Sequence, residues 1–266
     1  MNATSIANPL TTSVSARTGP EPAVAPPVEP VSAIAPPVEP VSAVAPLVAR
    51  LAARVSSSLD EIVAFGSPAA AIESIGRRLL AGRSVAIGDG VPDDLRRAVA
   101  ANARASTAAR WIDGAPDRVV QTLVDSTSAS DVAVLSSPVV GRGAAIAPRE
   151  LLQLRSRNLR SLIVLDLRDE DLASSPLTQT ALLLPGTIAI RGFGGIWRDA
   201  GAPEVAGLAF VTGPSREIAP LRTDALGAVA TDAACVRAAC AALDRTDIDR
   251  RVREAALAWR AERRSR

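Results

Sequence analysis

Four of the six residues from Asp166 to Asp171 carry carboxylates, and they follow an apolar segment typical of a strand. Carboxylate oxygens grouped at a strand end are suitable ligands for a hard cation such as Mg²⁺. The same acidic cluster, residues 166–171, is also expected in a solvated loop that caps the following helix. We favour the loop, and a bound cation is the alternative.

Two glycine-rich turns follow other apolar segments of the chain. Gly88-Asp89-Gly90 ends the segment 84–87, and three of the four residues 192–195 are glycine. Such turns let a phosphate group approach backbone N–H groups. A nucleotide or S-adenosylmethionine site built on residues 85–90 lacks the third glycine of the dinucleotide fingerprint. A positive φ explains the first turn equally well, and a flexible loop explains the second.

Three residue types that carry much of enzyme chemistry are absent from the sequence. It contains no histidine and no tyrosine, and all 30 of its basic residues are arginine. Arginine stays protonated at any working pH, so it cannot replace a lysine amine as nucleophile or proton carrier. Coding bias explains arginine in place of lysine elsewhere, but selection would retain a catalytic lysine. The available chemistry is therefore that of carboxylates, hydroxyls, thiols and backbone groups.

Charge, cysteine content and hydropathy exclude several function classes. The formal net charge of +2 is too balanced to indicate nucleic-acid binding. Cys235 and Cys240, without histidine, make neither a zinc site nor a disulfide framework, and we expect both to be buried. No signal peptide is recognisable, and no apolar stretch reaches the roughly 18 residues of a membrane span. We expect a cytoplasmic protein with no nucleic-acid or membrane partner.

Residues 1–48 differ in composition from the rest of the chain. The decapeptide Val24–Ala33 recurs almost unchanged as Ile34–Ala43, and a third copy begins at Val44. Proline at this density favours extended polyproline II and prevents a packed core. We interpret residues 1–48 as a disordered tether. A ligand for a proline-binding groove is the alternative, because the repeats contain a PxxP pattern.

Residues 49–266 are predicted to form one α/β domain. Apolar spacing predicts a helix over 59–80 with Ser58 as its N-cap. Further helices are predicted at 92–105, 148–157, 232–243 and 247–264, and strands at 84–87, 131–135, 161–165, 186–190 and 207–212. Short apolar strands that alternate with helices indicate a three-layer, mostly parallel sheet. Ligands bind such sheets at the carboxyl ends of the strands.

The strand ends occur in an order that resembles the class I/II aminotransferases, pyridoxal-phosphate enzymes of fold type I. The chain is most similar to the histidinol-phosphate aminotransferase group. Gly88-Asp89-Gly90, before Asp93-Asp94-Leu95, resembles the family's Gly-Asn-Gly-Ser-Asp-Glu-Leu, and Val164-Leu-Asp166 resembles its Val-Val-Asp-Glu-Ala-Tyr. The resemblance implies the large domain of such an enzyme. It also implies that Gly88, Asp89, Gly90 and Asp166 are vestigial cofactor-binding residues, with Asp166 at the position that pairs with the pyridine nitrogen.

The chain departs from the family where the cofactor is held. Residues 188–197 are similar to the segment Arg-Thr-Phe-Ser-Lys-Ala-Phe, but Gly195 stands at the lysine position. Val140 replaces the asparagine that bonds the cofactor's phenolic oxygen, and Asp169 replaces the tyrosine. The family's smaller C-terminal domain is expected to be absent. The resemblance therefore implies no catalytic residue, no metal and no bound cofactor, with pyridoxal phosphate implied by the family alone.

These departures would remove much of the free energy of cofactor binding. A charge-assisted hydrogen bond contributes roughly 1.5–3 kcal/mol, and several are missing here besides the imine. We therefore expect a chain that has lost transamination and acts as a non-catalytic structural or regulatory partner, in a homodimer or a heterodimer with an active paralogue. An enzyme with a repurposed site at residues 166–171, binding a metal or a phosphate ligand, is the alternative. Asp166 should pair with Arg168 or Arg191, or open to water, because an unpaired buried carboxylate costs several kcal/mol.

Overall fold

Seven strands join in one sheet in the computed structural model, which describes residues 41–109, 130–138, 145–157, 160–172, 177–226 and 233–264. In chain order they are β1 Ile62–Phe65, β2 Ser84–Gly88, β3 Ala105–Ala109, β4 Val132–Ser136, β5 Leu162–Asp166, β6 Thr187–Gly192 and β7 Ala209–Thr212. Their order across the sheet is β1-β7-β6-β5-β4-β2-β3. The β2, β3, β4, β5 and β6 strands pair in parallel, and β7 pairs antiparallel with both β1 and β6.

Helices follow most strands and return the chain to the start of the next one. They are α1 Val41–Val55, α2 Pro68–Ile75, α3 Asp93–Asn102, α4 Pro148–Arg157, α5 Thr178–Leu182, α6 Gly195–Asp199, α7 Ser215–Ile218, α8 Ala233–Leu243 and α9 Ile248–Arg264. A π-helical turn, Gly76–Leu80, continues α2, and short 3₁₀ turns lie at Leu59–Glu61, Glu170–Leu172 and Ala219–Asp224. The predicted helices at 148–157, 232–243 and 247–264 agree with α4, α8 and α9 to within one residue.

Apolar side chains cover both faces of the sheet, as a mostly parallel sheet requires. On the first face, Val164 and Ile190 of the central strands pack with α2, α3 and the π-helical turn. On the second face, α1, α6, α8 and α9 pack over the end that contains β1 and β7, and α4 and α5 pack over the middle. Successive residues of a strand alternate between these faces, so each strand contributes side chains to both layers. The predicted three-layer α/β fold is thus confirmed.

The single helix predicted over residues 59–80 is wrong. Residues Ile62–Phe65 form the edge strand β1, and a separate helix, α2, begins at Pro68. Four consecutive apolar residues fit a strand buried on both faces as well as they fit a helix. The Ser67 hydroxyl caps α2 by accepting a hydrogen bond of 3.1 Å from the Ala70 N–H. Ser67-Pro68 is a typical helix start, but the apolar spacing on both sides of it suggested one continuous helix.

The boundary predicted at residue 48 differs from the structure, because α1 begins at Val41. Val44 and Leu47 of this helix are 3% and 1% exposed and belong to the core. After Pro46 the third copy of the repeat has Leu47-Val-Ala-Arg50 where the first copy has Pro27-Val-Glu-Pro30, and apolar residues at helical spacing follow. Arg50 then pairs at 2.6 Å with Asp244, the residue after α8, which joins α1 to the body of the domain. Residues 1–40 of the predicted tether lie outside the described part of the chain.

The two cysteines differ in exposure. Cys240 is buried but Cys235 is exposed, so the prediction that both are buried is wrong for Cys235. An exposed cysteine on α8 is compatible with the helix, because only one face of the helix meets the core. Within the described residues, no helix is long and apolar enough to cross a membrane.

Candidate functional site

The carboxyl ends of β5 and β6 lie side by side, and the register pairs Asp166 with Ile190. Asp166 follows Val164 by two residues and therefore points to the same face of the sheet as that core side chain. The β1 strand runs parallel to β6, because both are antiparallel to β7. The turn Gly66-Ser67 after β1 consequently lies at this edge as well. The sequence analysis missed this turn because it placed β1 inside a helix.

Arg168 is the cation that pairs with Asp166. Its Nε donates to Asp166 Oδ1 at 2.9 Å and its Nη2 donates to Oδ2 at 2.8 Å. The remaining edge of the same guanidinium donates to Asp94 at the start of α3, with distances of 2.6 and 3.0 Å. The prediction that an arginine would pair with Asp166 is confirmed for Arg168.

The ion pair between Asp166 and Arg168 is largely buried. The side chain of Asp166 is only 2% exposed and that of Arg168 16%, whereas the side chain of Asp94 is 38% exposed. Burial disfavours charge on Arg168, but its hydrogen bonds to Asp166 and Asp94 outweigh that effect and raise its pKa. The same hydrogen bond from Arg168 lowers the pKa of Asp94. Arg168 and Asp94 are therefore charged near neutral pH, and the buried Asp166 has its counter-charge within the chain.

Asp169 lies beside this pair without joining it. Burial raises the pKa of Asp169, and the negative charge of Asp166 adds to that effect. Its Oδ1 lies 3.9 Å from the position of a Cβ built on Gly194. The loop after β6 thus meets the loop after β5 at this point.

The glycine-rich residues 192–195 border the Arg168 side chain. A Cβ added at Gly192 would lie 3.3 Å from Cγ of Arg168, so the glycine permits a close approach. The Phe193 N–H donates to the Leu208 carbonyl, and the Phe193 carbonyl accepts from the Gly207 N–H. These two hydrogen bonds anchor the loop. Gly195 is exposed, and no atom lies within 4 Å of a Cβ built there. The structure places Gly195 and Asp166 at one edge of the sheet.

The predicted phosphate turn, Gly88-Asp89-Gly90, lies at the carboxyl end of β2. A Cβ on Gly88 would approach Leu135 Cδ2 to 3.0 Å, so close packing favours glycine there. The φ of Gly90 is +76°, which also favours glycine. Arg96 folds back onto this turn, and its Nη2 donates to the Gly88 carbonyl at 3.0 Å. Packing and backbone conformation therefore account for both glycines. Asp94, which the sequence analysis treated only as part of a motif, is the residue of this region that reaches Arg168.

Three carboxylates of the acidic cluster 166–171 have partners within the chain, and Asp169 forms no ion pair among the described residues. Glu170 is 4% exposed, accepts a hydrogen bond from the Thr178 N–H at 2.7 Å and forms an ion pair with the Arg191 guanidinium. Asp171 accepts from Trp197 Nε1 at 2.6 Å. Within the described residues no three acidic or sulfur side chains are placed to hold a metal ion. The hypothesis of a metal site in this cluster therefore lacks the convergent geometry it requires. Val140, the other replaced cofactor contact, lies outside the described residues.

The fold matches those of solved aminotransferase structures. N-Succinyldiaminopimelate aminotransferase from Mycobacterium tuberculosis superposes with a TM-score of 0.68 at 19% identity, covering 83% of this chain and 61% of that chain. Histidinol-phosphate aminotransferase from Sinorhizobium meliloti, in complex with pyridoxal-5′-phosphate, has a TM-score of 0.61 at 18% identity, covering 83% and 58%. Aromatic aminotransferase from Pyrococcus horikoshii OT3 has a TM-score of 0.67 at 17% identity, covering 82% and 62%.

These comparisons establish the architecture. No protein-family model matches the chain, and no curated protein matches it. At these identities the likeness concerns the fold, which is that of the large domain of pyridoxal-phosphate aminotransferases. The chain spans only 58–62% of the length of the three solved proteins. The predicted resemblance to aminotransferases is confirmed at the level of fold.

The residues at the strand ends do not fit pyridoxal phosphate. Asp166 is fully paired with Arg168, whose side chain fills the space next to Gly192. A pyridinium nitrogen would have to displace that guanidinium to reach the carboxylate. The chain also has no lysine to form an imine at position 195 or elsewhere. A site with its own cation in place and no amine cannot hold this cofactor in the usual way.

Proposed function

We propose that this protein is a non-catalytic member of the aminotransferase fold group, which acts as a structural or regulatory partner and not as a transaminase. The observation that carries the proposal is the bidentate pair between Arg168 and the buried Asp166. The carboxylate that should face a ligand cation is neutralised from within the chain. A fold that holds this pair needs no cofactor to compensate the charge.

The absence of an ionisable side-chain amine supports the same proposal. Transamination uses a lysine both to hold the cofactor and to move a proton, and arginine does neither. Asp169, which stands where the resemblance places a tyrosine, is a carboxylate of raised pKa and offers no phenol. The apolar core, by contrast, is intact on both faces of the sheet. The chain has kept what stabilises the fold and lacks what would perform the reaction.

The proposal predicts that the protein binds pyridoxal phosphate no better than millimolar. The missing imine and several missing charge-assisted hydrogen bonds, each worth roughly 1.5–3 kcal/mol, remove that much affinity at 1.4 kcal/mol per tenfold. Equilibrium dialysis with an active aminotransferase as positive control measures this directly. Cofactor retained at micromolar concentration, or an amino group transferred between an amino acid and a 2-oxo acid, would contradict the proposal.

The proposed role requires a protein partner, which we propose to be a second copy of this chain or an active paralogue of the same fold. Aminotransferases of this fold pair through the large domain, and that domain is the part present here. We expect light scattering after size exclusion to give twice the monomer mass, or a mixed dimer when the paralogue is co-expressed. A monomer in both experiments would refute the partner role while leaving the lack of cofactor binding untouched.

A further inference from the structure

A cavity of about 550 Å³ lies under α9, between that helix and the end of α1. It is separate from the Asp166 edge. Arg191, which lines it, follows Ile190 on β6 and therefore points to the opposite face of the sheet from the core that contains Ile190 and Val164. The volume of the cavity is in the range of sites for small organic molecules. The proposed function assigns no role to this cavity.

Four arginines and three carboxylates line the cavity, which leaves an excess of positive charge. The cations are Arg54, Arg191, Arg253 and Arg260, and the anions are Glu170, Asp171 and Asp249. All three carboxylates already have a partner among the first two cations: Asp249 pairs with Arg54, and Glu170 and Asp171 pair with Arg191.

The two α9 arginines are therefore the cations that can meet a ligand. Neither Arg253 nor Arg260 forms an ion pair with a carboxylate in the part of the chain that the structure describes. Arg260 donates only to the Ala256 carbonyl of its own helix, at 3.3 Å. Arg191 Nε is buried and has no hydrogen-bond partner among the described residues. Unmet donors of this kind favour an anion, because arginine presents a fixed fork to carboxylate and phosphate oxygens.

The opposite wall of the cavity is aromatic. Phe193, Trp197 and Phe210 line it, and the first two rings meet edge to face with their centroids 4.7 Å apart. The Trp197 Nε1–H is already used by Asp171, and the Arg54 guanidinium covers one face of the ring, 4.7 Å from its centroid. What this wall still offers a ligand is therefore apolar. A ligand that fills the cavity would need an apolar or aromatic body opposite its charged group.

We propose that this cavity binds a small organic anion, with a carboxylate or phosphate group held by Arg253 and Arg260 and an apolar body against Phe193 and Trp197. The proposal is independent of the lost cofactor site. The cavity lies across the sheet from Asp166, and the two cations proposed to hold the ligand, Arg253 and Arg260, are on α9, which does not contribute to that site. Failure of one proposal would therefore leave the other standing.

Calorimetry of the full chain with three matched probes tests the proposal. 3-Phenylpropionate and phenyl phosphate carry an anionic group on an aromatic body, and 3-phenylpropanamide has the same body without charge. We expect at least one anion to bind about tenfold more tightly than the amide, the effect of one charge-assisted hydrogen bond. No binding by either anion at millimolar concentration, or equal binding by the amide, would overturn the proposal.

The variant R253Q/R260Q identifies the site. Arg253 is exposed, Arg260 is partly exposed and neither belongs to the apolar core, so we expect the fold to persist, and far-ultraviolet circular dichroism verifies it. Binding of the anion should weaken about a hundredfold, because two charge-assisted contacts are lost. The matched control is R250Q on the same helix, whose residue pairs with Glu254 and does not line the cavity. Unchanged binding in R253Q/R260Q, or an equal loss in R250Q, would refute the assignment.

Discussion

Replacing Arg168 with glutamine is expected to lower the free energy of unfolding by about 3 kcal/mol, because it strands a buried charge. Asp166 has a side chain only 2% exposed, and both of its carboxylate oxygens accept from this guanidinium. The Arg168 backbone N–H also donates to Oδ1, at 3.2 Å, but it carries no charge. Glutamine can donate one hydrogen bond but supplies no positive charge. Urea titration of R168Q beside the natural protein measures the loss.

The variant should also change how stability depends on pH. Arg168 lowers the pKa of Asp94 in the folded protein, so that contribution is complete above the ordinary aspartate value of about 3.9. It disappears as the pH falls through the lowered pKa of Asp94. The gap in stability between R168Q and the natural protein should therefore narrow in acid.

Two controls separate the buried pair from a general effect of lost charge. R250Q removes an exposed arginine whose pair with Glu254 is 61% and 58% exposed, and should cost less than about 1 kcal/mol. D166N/R168Q replaces both charges by amides and should recover part of the loss. A loss in R168Q no larger than in R250Q would show that Asp166 has no need of its cation, and the proposed function would lose its main support.

Replacing Glu170 with glutamine is the second change of large expected effect, again about 3 kcal/mol. Glu170 is 4% exposed and accepts from the Leu177 and Thr178 N–H groups, the Thr178 hydroxyl and Arg191. Glutamine replaces one acceptor oxygen with an NH₂ group that faces these donors. Among the described residues it also leaves Arg191 with Asp171, at 3.5 Å, as its one anionic partner.

Thermal and urea unfolding of E170Q measure this effect, and E73Q is the matched control. Glu73 pairs with Arg77 on the surface of α2 and the π-helical turn, with side chains 67% and 52% exposed, and its loss should cost under about 0.5 kcal/mol. Adding R191Q to E170Q should cost little more, because the two residues act as one unit. Full additivity of the two changes would contradict the coupled network described here.

The central strands were predictable because their burial on two faces leaves a plain apolar run. Residues 162–166 and 132–136 lie within one residue of the predicted strands, since each run ends at a polar residue. The edge strands are harder to predict from the sequence. β3, Ala105–Ala109, consists of small and polar residues, and β1 has four apolar residues that suit a helix equally well.

The site was predictable only where its partners are near in sequence. Arg168 follows Asp166 by two residues, so their pairing could be expected from the cost of a buried carboxylate. Asp94, the third member, is 74 positions away from Arg168, and only the folding of α3 over β5 brings them together. The cavity under α9 had no signal in the sequence, because its lining comes from helices and strands at both ends of the domain.

The Arg168 bridge has an evolutionary consequence if an active enzyme was the ancestor. Gly195→Lys alone would place its Cβ where no atom lies within 4 Å, but Arg168 would still be paired with Asp166. Loss of Arg168 alone would cost about 3 kcal/mol and restore nothing. Each single step back is neutral or harmful, and only the pair of changes begins to reopen the site. The bridge therefore acts as a ratchet, which makes reversion rarer than the original loss.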